Sequence, residues 1–182
     1  MGFALAKNAM LRGAEVTLVM GKCDSEPPVF ANTVKVQSAK DMYDAVIERA
    51  DSMDIIVKAA AVADYRPKNV SSEKVKKQDG NMSIELERTD DILKTLGERK
   101  NGQFICGFSM ETENMLENSK EKLAKKNIDM IVANNLKTEG AGFGTDTNVI
   151  TLITKENTEQ LPIMSKEECA HKIIDKILEL KG

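Results

Sequence analysis

The residues best suited to chemistry lie in 59–78, AAAVADYRPKNVSSEKVKKQ. The stretch follows Asp54-Ile55-Ile56-Val57, a short apolar run rich in β-branched residues, which reads as a buried strand running out into a loop. In open α/β sheets, ligands bind beyond such strand ends. Ala59, Ala60, Ala61 and Ala63 leave room for a ligand to lie against the backbone, Asp64 offers an acceptor, and Tyr65-Arg66-Pro67 turns the chain away. Lys74, Lys76 and Lys77 then concentrate positive charge in a protein whose formal net charge is -3. A cationic arm on an acidic protein suits an anionic ligand; a solvated surface is the competing reading.

The flanking sequence must supply the elements that hold this stretch. Phe3, Leu5, Ala6, Met10 and Leu11 form a rough helical stripe closed by Arg12-Gly13, and residues 14–20 (AEVTLVM) follow as a strand. A helix feeding a strand normally returns from an earlier strand through a right-handed crossover. The expectation is therefore that residues 1–182 form one domain lacking its first strand and glycine-rich turn, with residues 1 to about 12 poorly anchored. Residues 21–31, with Pro27-Pro28, should be an exposed loop, and 33–37 a strand. Ser38 with Asp41 marks the start of a helix that buries Met42, Ala45, Val46 and Ala50.

Beyond the lysines, Asp79-Gly80 suits a tight turn, and Met82, Ile84 and Leu86 alternate with Ser83, Glu85 and Glu87. The lysine arm and this strand are thus expected to pair as a projecting hairpin over 74–88. Thr89 is placed to cap a helix with Asp90 and Asp91 in its first turn and Ile92, Leu93 and Leu96 inside. Residues 103–110 (QFICGFSM) read as a buried strand with Gly107-Phe108 at its carboxyl end. A helix from 114 to about 126 sets Lys122 and Lys126 on one face, and 129–135 returns to the sheet. Residues 140–144 form a loop without GxGxxG or the Lys-Ser/Thr of a P-loop. A strand at 149–153 precedes a capping box, Ser165 with Glu168, and a last helix carrying Ile173, Ile174, Ile177 and Leu178 on the core. His171, the only histidine, reads as a surface or core residue rather than a catalytic one. The alternation predicts an α/β, Rossmann-like three-layer sandwich with a mostly parallel sheet and a projecting β-hairpin.

Composition narrows the function classes. With 182 residues, 41% hydrophobic and 30% charged, the chain has enough apolar content for a core and is not mainly disordered. A pI near 5.4, no Trp, two Tyr and five Phe argue against a nucleic-acid binder. Cys23, Cys106 and Cys169 are odd in number and contain no CxxC pair, which points to reduced thiols in the cytoplasm and no metal cluster. No run is long enough to span a bilayer, so no membrane partner is expected.

In order and spacing, AAAVADYRPKNV, EKVKKQ, GFSMET, KLAKKNIDMIVANN and GFGTDTNVITLI resemble the phosphopantothenate–cysteine ligases, or phosphopantothenoylcysteine synthetases. These form the second activity of the bifunctional bacterial coenzyme A flavoproteins. The resemblance covers almost the whole chain and is strongest in Ala-Ala-x-Ala-Asp-Tyr-Arg and Lys-x-Lys-Lys. It implies that CTP activates the carboxylate of 4'-phosphopantothenate as an acyl-cytidylate, releasing pyrophosphate, and that the amine of L-cysteine then displaces CMP. Mg2+ is expected because triphosphate activation commonly needs it. By motif, the nucleotide contacts would be Asp64, Lys74, Asp90, Asp91, Ile92, Leu93, Phe108, Lys122 and Lys126, with Lys74 also catalytic and Ala60 and Ala61 against the substrate. No metal ligand is assigned, and a homodimer closed by the hairpin is implied.

The residue chemistry is compatible with those roles. Lysines offset charge that develops on phosphates, and a helix amino end offers free N–H donors. Asp64 can accept from a ribose hydroxyl or the cytosine amine; Phe108 can pack on the base or line the core. Two departures stand out. Thr89-Asp90-Asp91 replaces the Asn-Pro-Asp of many relatives, adding a carboxylate at an anion-facing helix start. The strand, glycine-rich turn and Ile-Ser-Asn-x-Ser-Ser-Gly-Lys stretch that relatives carry just before Met-Gly-Phe are not within residues 1–182.

Two other classes compete. A short-chain dehydrogenase or epimerase would share a strand ending in small residues, but Tyr43 is followed four residues later by Ile47 and Tyr65 by Asn69. The Tyr-x-x-x-Lys pair and the dinucleotide fingerprint are both missing. A relative that binds nucleotide or a partner chain without turnover is the second alternative.

Overall fold

The computed structural model describes residues 1–23, 25–76, 80–111, 115–135 and 145–182. The first half contains α1 (Gly2–Leu11), β1 (Thr17–Met20), β2 (Asn32–Lys35), α2 (Ala39–Ala50), β3 (Ile55–Lys58), β4 (Tyr65–Pro67), β5 (Leu86–Arg88) and α3 (Ile92–Arg99). The second contains β6 (Phe104–Glu111), α4 (Met115–Lys125), β7 (Met130–Asn135), β8 (Thr147–Asn148), β9 (Ile150–Thr154), β10 (Thr158–Gln160), β11 (Met164–Ser165) and α5 (Lys166–Lys181).

Five strands form the central sheet in the order β10-β9-β7-β6-β3. β3, β6 and β7 are parallel, with Ile55 opposite Phe104 and Cys106 opposite Met130, while β9 and β10 run antiparallel. Side-chain alternation splits the interior into two cores. Phe104, Cys106, Met130 and Val132 face Leu5 of α1 and Cys169, Ile173 and Ile177 of α5. Their neighbours Ile105, Ile131 and Ala133 face Met42 of α2, Ile92, Leu93 and Leu96 of α3, and Leu123 of α4. The result is the expected α/β/α sandwich, its sheet mostly parallel.

Local capping signals hold. Ser38 and Asp41 form a reciprocal capping box on α2, and Ser165 and Glu168 do the same on α5. His171 is exposed, with Nδ1 3.2 Å from an Arg12 guanidinium nitrogen.

Three expectations are corrected. The first helix is firmly anchored: Leu5 and Ala6 are buried, and Lys7 pairs with Glu167 at 2.6 Å and Arg12 with Asp175 at 2.7 Å. Its partner is α5. The ribbon is also different: β5 pairs antiparallel with β4 rather than with the lysine arm. Arg66–Glu87 and Lys68–Glu85, each at 2.7 Å, set that register by opposite charge across the strands. Residues 74–76 and 80–85 are not in strands, and 77–79, including the Asp79 turn position, lie outside the described residues, as does the 140–144 loop. Finally, Thr89 does not cap α3; Asp91 does, its carboxylate accepting from the Lys94 N–H at 3.1 Å.

β1 and β2 form a separate parallel pair. Among the described residues, β1 bonds only to β2, and β3 only to β6, so each leaves one strand edge without a ladder partner.

Candidate functional site

The carboxyl ends of β3 and β6 and the amino end of α3 converge on a group of charged side chains. Beyond β3 the chain leaves the sheet through Ala59–Ala63, whose end is pinned to the residues entering α3. There the Thr89 hydroxyl donates to the Ala63 carbonyl at 2.6 Å and the Thr89 N–H to the Asp64 carbonyl at 3.0 Å. Thr89 thus spends its side chain on the loop, which is why capping falls to Asp91.

Asp91 also receives Lys126, with Nζ 2.9 Å and 3.1 Å from its two carboxylate oxygens. Lys126 reaches that position because α3 and the end of α4 touch through backbone. A Cβ on Gly97 would sit 1.7 Å from the Lys126 carbonyl oxygen, and the Asn127 amide donates to the Gly97 carbonyl at 2.9 Å. Only glycine permits this approach. One layer deeper, a Cβ on Gly107 would meet Leu93 Cδ1 at 2.8 Å, so the same residue type lets α3 settle on β6.

Lys122 lies one helical turn before Lys126, with Nζ 3.4 Å from Ser109 Oγ on β6. Lys58, the last residue of β3, is partly buried and donates to the Ala60 carbonyl at 3.0 Å. Sequence reasoning passed over it, although it is the one charged residue in IIVKAAA.

The electrostatics follow from this crowding. Burial pushes the Lys58 ammonium below the ordinary lysine range; Lys126 and Lys122 push the same way, against Asp91 and Asp64. For Asp91, burial works to raise the carboxyl. The Lys126 hydrogen bond, the Lys94 N–H and the charges of Lys126 and Lys58 outweigh it and leave the group below its usual value.

The structure therefore brings Asp64, Asp91, Lys122 and Lys126 into one electrostatic neighbourhood. Ile92 and Leu93 are buried at 2% and 4%, so their contribution to a ligand would be backbone N–H groups of the first turn. Asp90 is exposed and lines a shallow depression with Lys40, Arg66, Glu87, Arg88 and Thr89. Ala60 and Ala61 are exposed on the loop, and Lys74 is exposed on the arm. Phe108 is not gathered with the lysines. It packs on the α1 and α5 core, across the sheet from Ser109 and Lys122, because it shares strand parity with Phe104 and Cys106.

A mostly parallel sheet covered by helices on both faces, with ammonium groups clustered at its strand ends beside a helix amino end, defines a Rossmann-like domain. Over residues 1–180 the chain matches the family described as DNA/pantothenate metabolism flavoprotein C-terminal domain, and it belongs to that family. It is 48% identical over 182 residues to the coenzyme A biosynthesis bifunctional protein CoaBC of Bacillus subtilis (strain 168), covering 99% of this chain and 45% of that protein. The chain thus spans about half the length of the curated relatives it matches. A crystal structure of the C-terminal domain of CoaBC matches with a TM-score of 0.82 at 45% identity, covering 98% of this chain and 82% of that one. A Cab2 mutant in complex with phosphopantothenate-cysteine shares the fold at a TM-score of 0.64 and 17% identity, over 82% of this chain and 52% of that one.

Proposed function

We propose that this chain is the ligase part of a coenzyme A biosynthetic enzyme, joining 4'-phosphopantothenate to L-cysteine at the expense of CTP. The carrying observation is the Asp91–Lys126 pair with Lys122 and Lys58 at the strand ends, in a chain 48% identical to a CoaBC protein. In the first step a carboxylate oxygen of phosphopantothenate attacks the α-phosphorus of CTP and pyrophosphate leaves. In the second, the cysteine nitrogen attacks the acyl carbon, the acyl–oxygen bond to CMP breaks, and the amine gives up a proton.

Each nearby group has a part in that scheme. Lys122 and Lys126 offset phosphate charge, and the first-turn N–H groups of α3 supply further donors. Asp64 accepts from the nucleoside, and the small side chains of Ala60 and Ala61 let the acyl substrate approach the backbone. Lys74 is the cation carried by the arm. Among the described residues no three His, Cys, Asp or Glu side chains are grouped to hold a metal. Mg2+ is expected to enter with the nucleotide, on its triphosphate oxygens.

The arm also bears on assembly. Val70, Val75, Met82, Ile84 and Leu86 are all exposed along and beside it. A second copy covering this apolar surface, as a homodimer, is the arrangement that would both bury it and bring Lys74 over a site. We place the enzyme in the cytoplasm with its nucleotide substrate; among the described residues, no helix is long and apolar enough to cross a membrane.

The test is an assay with CTP, magnesium, phosphopantothenate and cysteine that follows pyrophosphate and CMP. Both should appear in equal amounts, and ATP should substitute poorly. If the chain, joined to the segment that precedes this region in its relatives, binds none of these compounds by calorimetry, the proposal is wrong.

A further inference from the structure

Lys58 is assigned no part by the family motif, yet its placement singles it out. In β3, Ile55 and Val57 pack on the α1 and α5 core and Ile56 on the core of α2, α3 and α4. Alternation therefore brings Lys58 out on the side of Ile56, which is also the side of Asp91 and Lys126. Its stem is partly buried, and its ammonium folds back onto the Ala60 carbonyl at 3.0 Å instead of extending into solvent.

Among the described residues no carboxylate lies in ion-pair contact with Lys58, whose ammonium bonds the Ala60 carbonyl. Lys126 and Lys122 act against its charge, and Asp91 and Asp64 act for it. Asp91 is already committed to Lys126 and to the Lys94 N–H. Burying an ammonium among other ammonium groups is costly unless an anion joins them. A phosphate would offset both the burial and the repulsion; a neutral ligand would offset neither.

We infer that Lys58 is a third phosphate-binding cation of this site, acting with Lys122 and Lys126 on the charged end of the nucleotide. The identity of that nucleotide rests on the ligase reading; the phosphate contact does not. A purely structural role, holding the 59–61 loop through the Ala60 carbonyl, predicts losses unrelated to phosphate number.

Calorimetry separates these cases, using the chain joined to the segment that precedes this region in its relatives, as wild type, Lys58→Met and Lys58→Arg, with magnesium and either CTP, CMP, cytidine or inorganic tripolyphosphate. Lys58→Met should weaken CTP and tripolyphosphate by about 10- to 100-fold, the span of one hydrogen bond to a charged group. CMP should lose less and cytidine nothing. Lys58→Arg should recover most of the affinity, and the melting temperature of Lys58→Met should not fall, which shows that the loss is not unfolding. Unchanged tripolyphosphate binding in Lys58→Met, or an equal loss for cytidine and CTP, would overturn the inference. Wild-type protein that binds tripolyphosphate with no preference for CTP would defeat the ligase reading while leaving Lys58 in place. Wild-type protein that binds neither would defeat both.

Discussion

Asp91 does two jobs with one carboxylate, capping α3 and holding Lys126. Its carboxyl lies below the ordinary value in the folded protein, so its contribution to stability is complete above the unfolded pKa and is lost as pH falls through the folded one. Asp91→Asn should remove that acid transition, and Asp91→Ala should cost about 0.5–2 kcal/mol, as for other N-caps. Chemical denaturation across acidic pH checks both, and a wild-type curve no steeper than that of Asp91→Asn would contradict the assignment. Lys74 is tested by turnover. On the ligase reading, Lys74→Ala should slow it by on the order of 10²-fold, the usual loss for one preorganised charge; a change of less than threefold would leave Lys74 a solvated surface residue. The thiols give a simpler check. Cys106 and Cys169 are fully buried, and burial pushes both thiols up, Cys169 to about 11, while Cys23 is exposed. A thiol reagent should therefore label one cysteine in the native protein and three after denaturation.

At the scale of elements, the α3–α4 contact sets the site. Gly97→Ala would drive a methyl group into the Lys126 carbonyl, 1.7 Å from where its Cβ must lie. It should destabilise the protein by about 1–3 kcal/mol, the range for overpacking, and on the ligase reading it should weaken nucleotide binding by displacing Lys126. Thermal denaturation and calorimetry on the same variant measure the two effects, and an unchanged melting temperature would mean that the helices are free to part. Nothing in the sequence announces this glycine, because the backbone it touches lies 29 residues away in the chain. By contrast, the capping boxes at Ser38 and Ser165 are legible because all their partners fall within three residues. The two cores are legible as well, since buried strands show parity directly. The ribbon was not legible. An apolar alternation at 82–86 fits any partner strand, and the choice of β4 came from Arg66 and Lys68 meeting Glu87 and Glu85 across the strands. Lys58 was hidden for a similar reason, since a lysine ending a strand looks like surface until its neighbours are known.

For the whole molecule, the facing question is how β1 and β3 are joined. Both leave an edge unpaired among the described residues, and a parallel pair of four-residue strands has little stability by itself. We propose that one further strand completes the sheet between them. Adding the segment that lies before this region in the relatives should then raise the melting temperature by several degrees, about 2–4 °C for each kcal/mol gained in a domain of this size. It should also raise turnover; equal stability and full activity without it would refute the idea. Light scattering at micromolar concentration should give twice the mass of the chain if the apolar arm residues meet a second copy.

The pairing of α1 with α5 has a consequence for synthesis. Lys7 meets Glu167 and Arg12 meets Asp175, so the two helices run in the same direction, and the first of these pairs is 160 residues apart in sequence. On a ribosome adding roughly 5–20 residues per second, that interval is on the order of ten to thirty seconds. Until α5 emerges, Leu5 lacks the helix against which it is buried. The helix that comes before all the others in residues 1–182 is thus among the last of them to be fixed, and through that interval its apolar stripe is a surface for whatever chaperone attends the nascent chain.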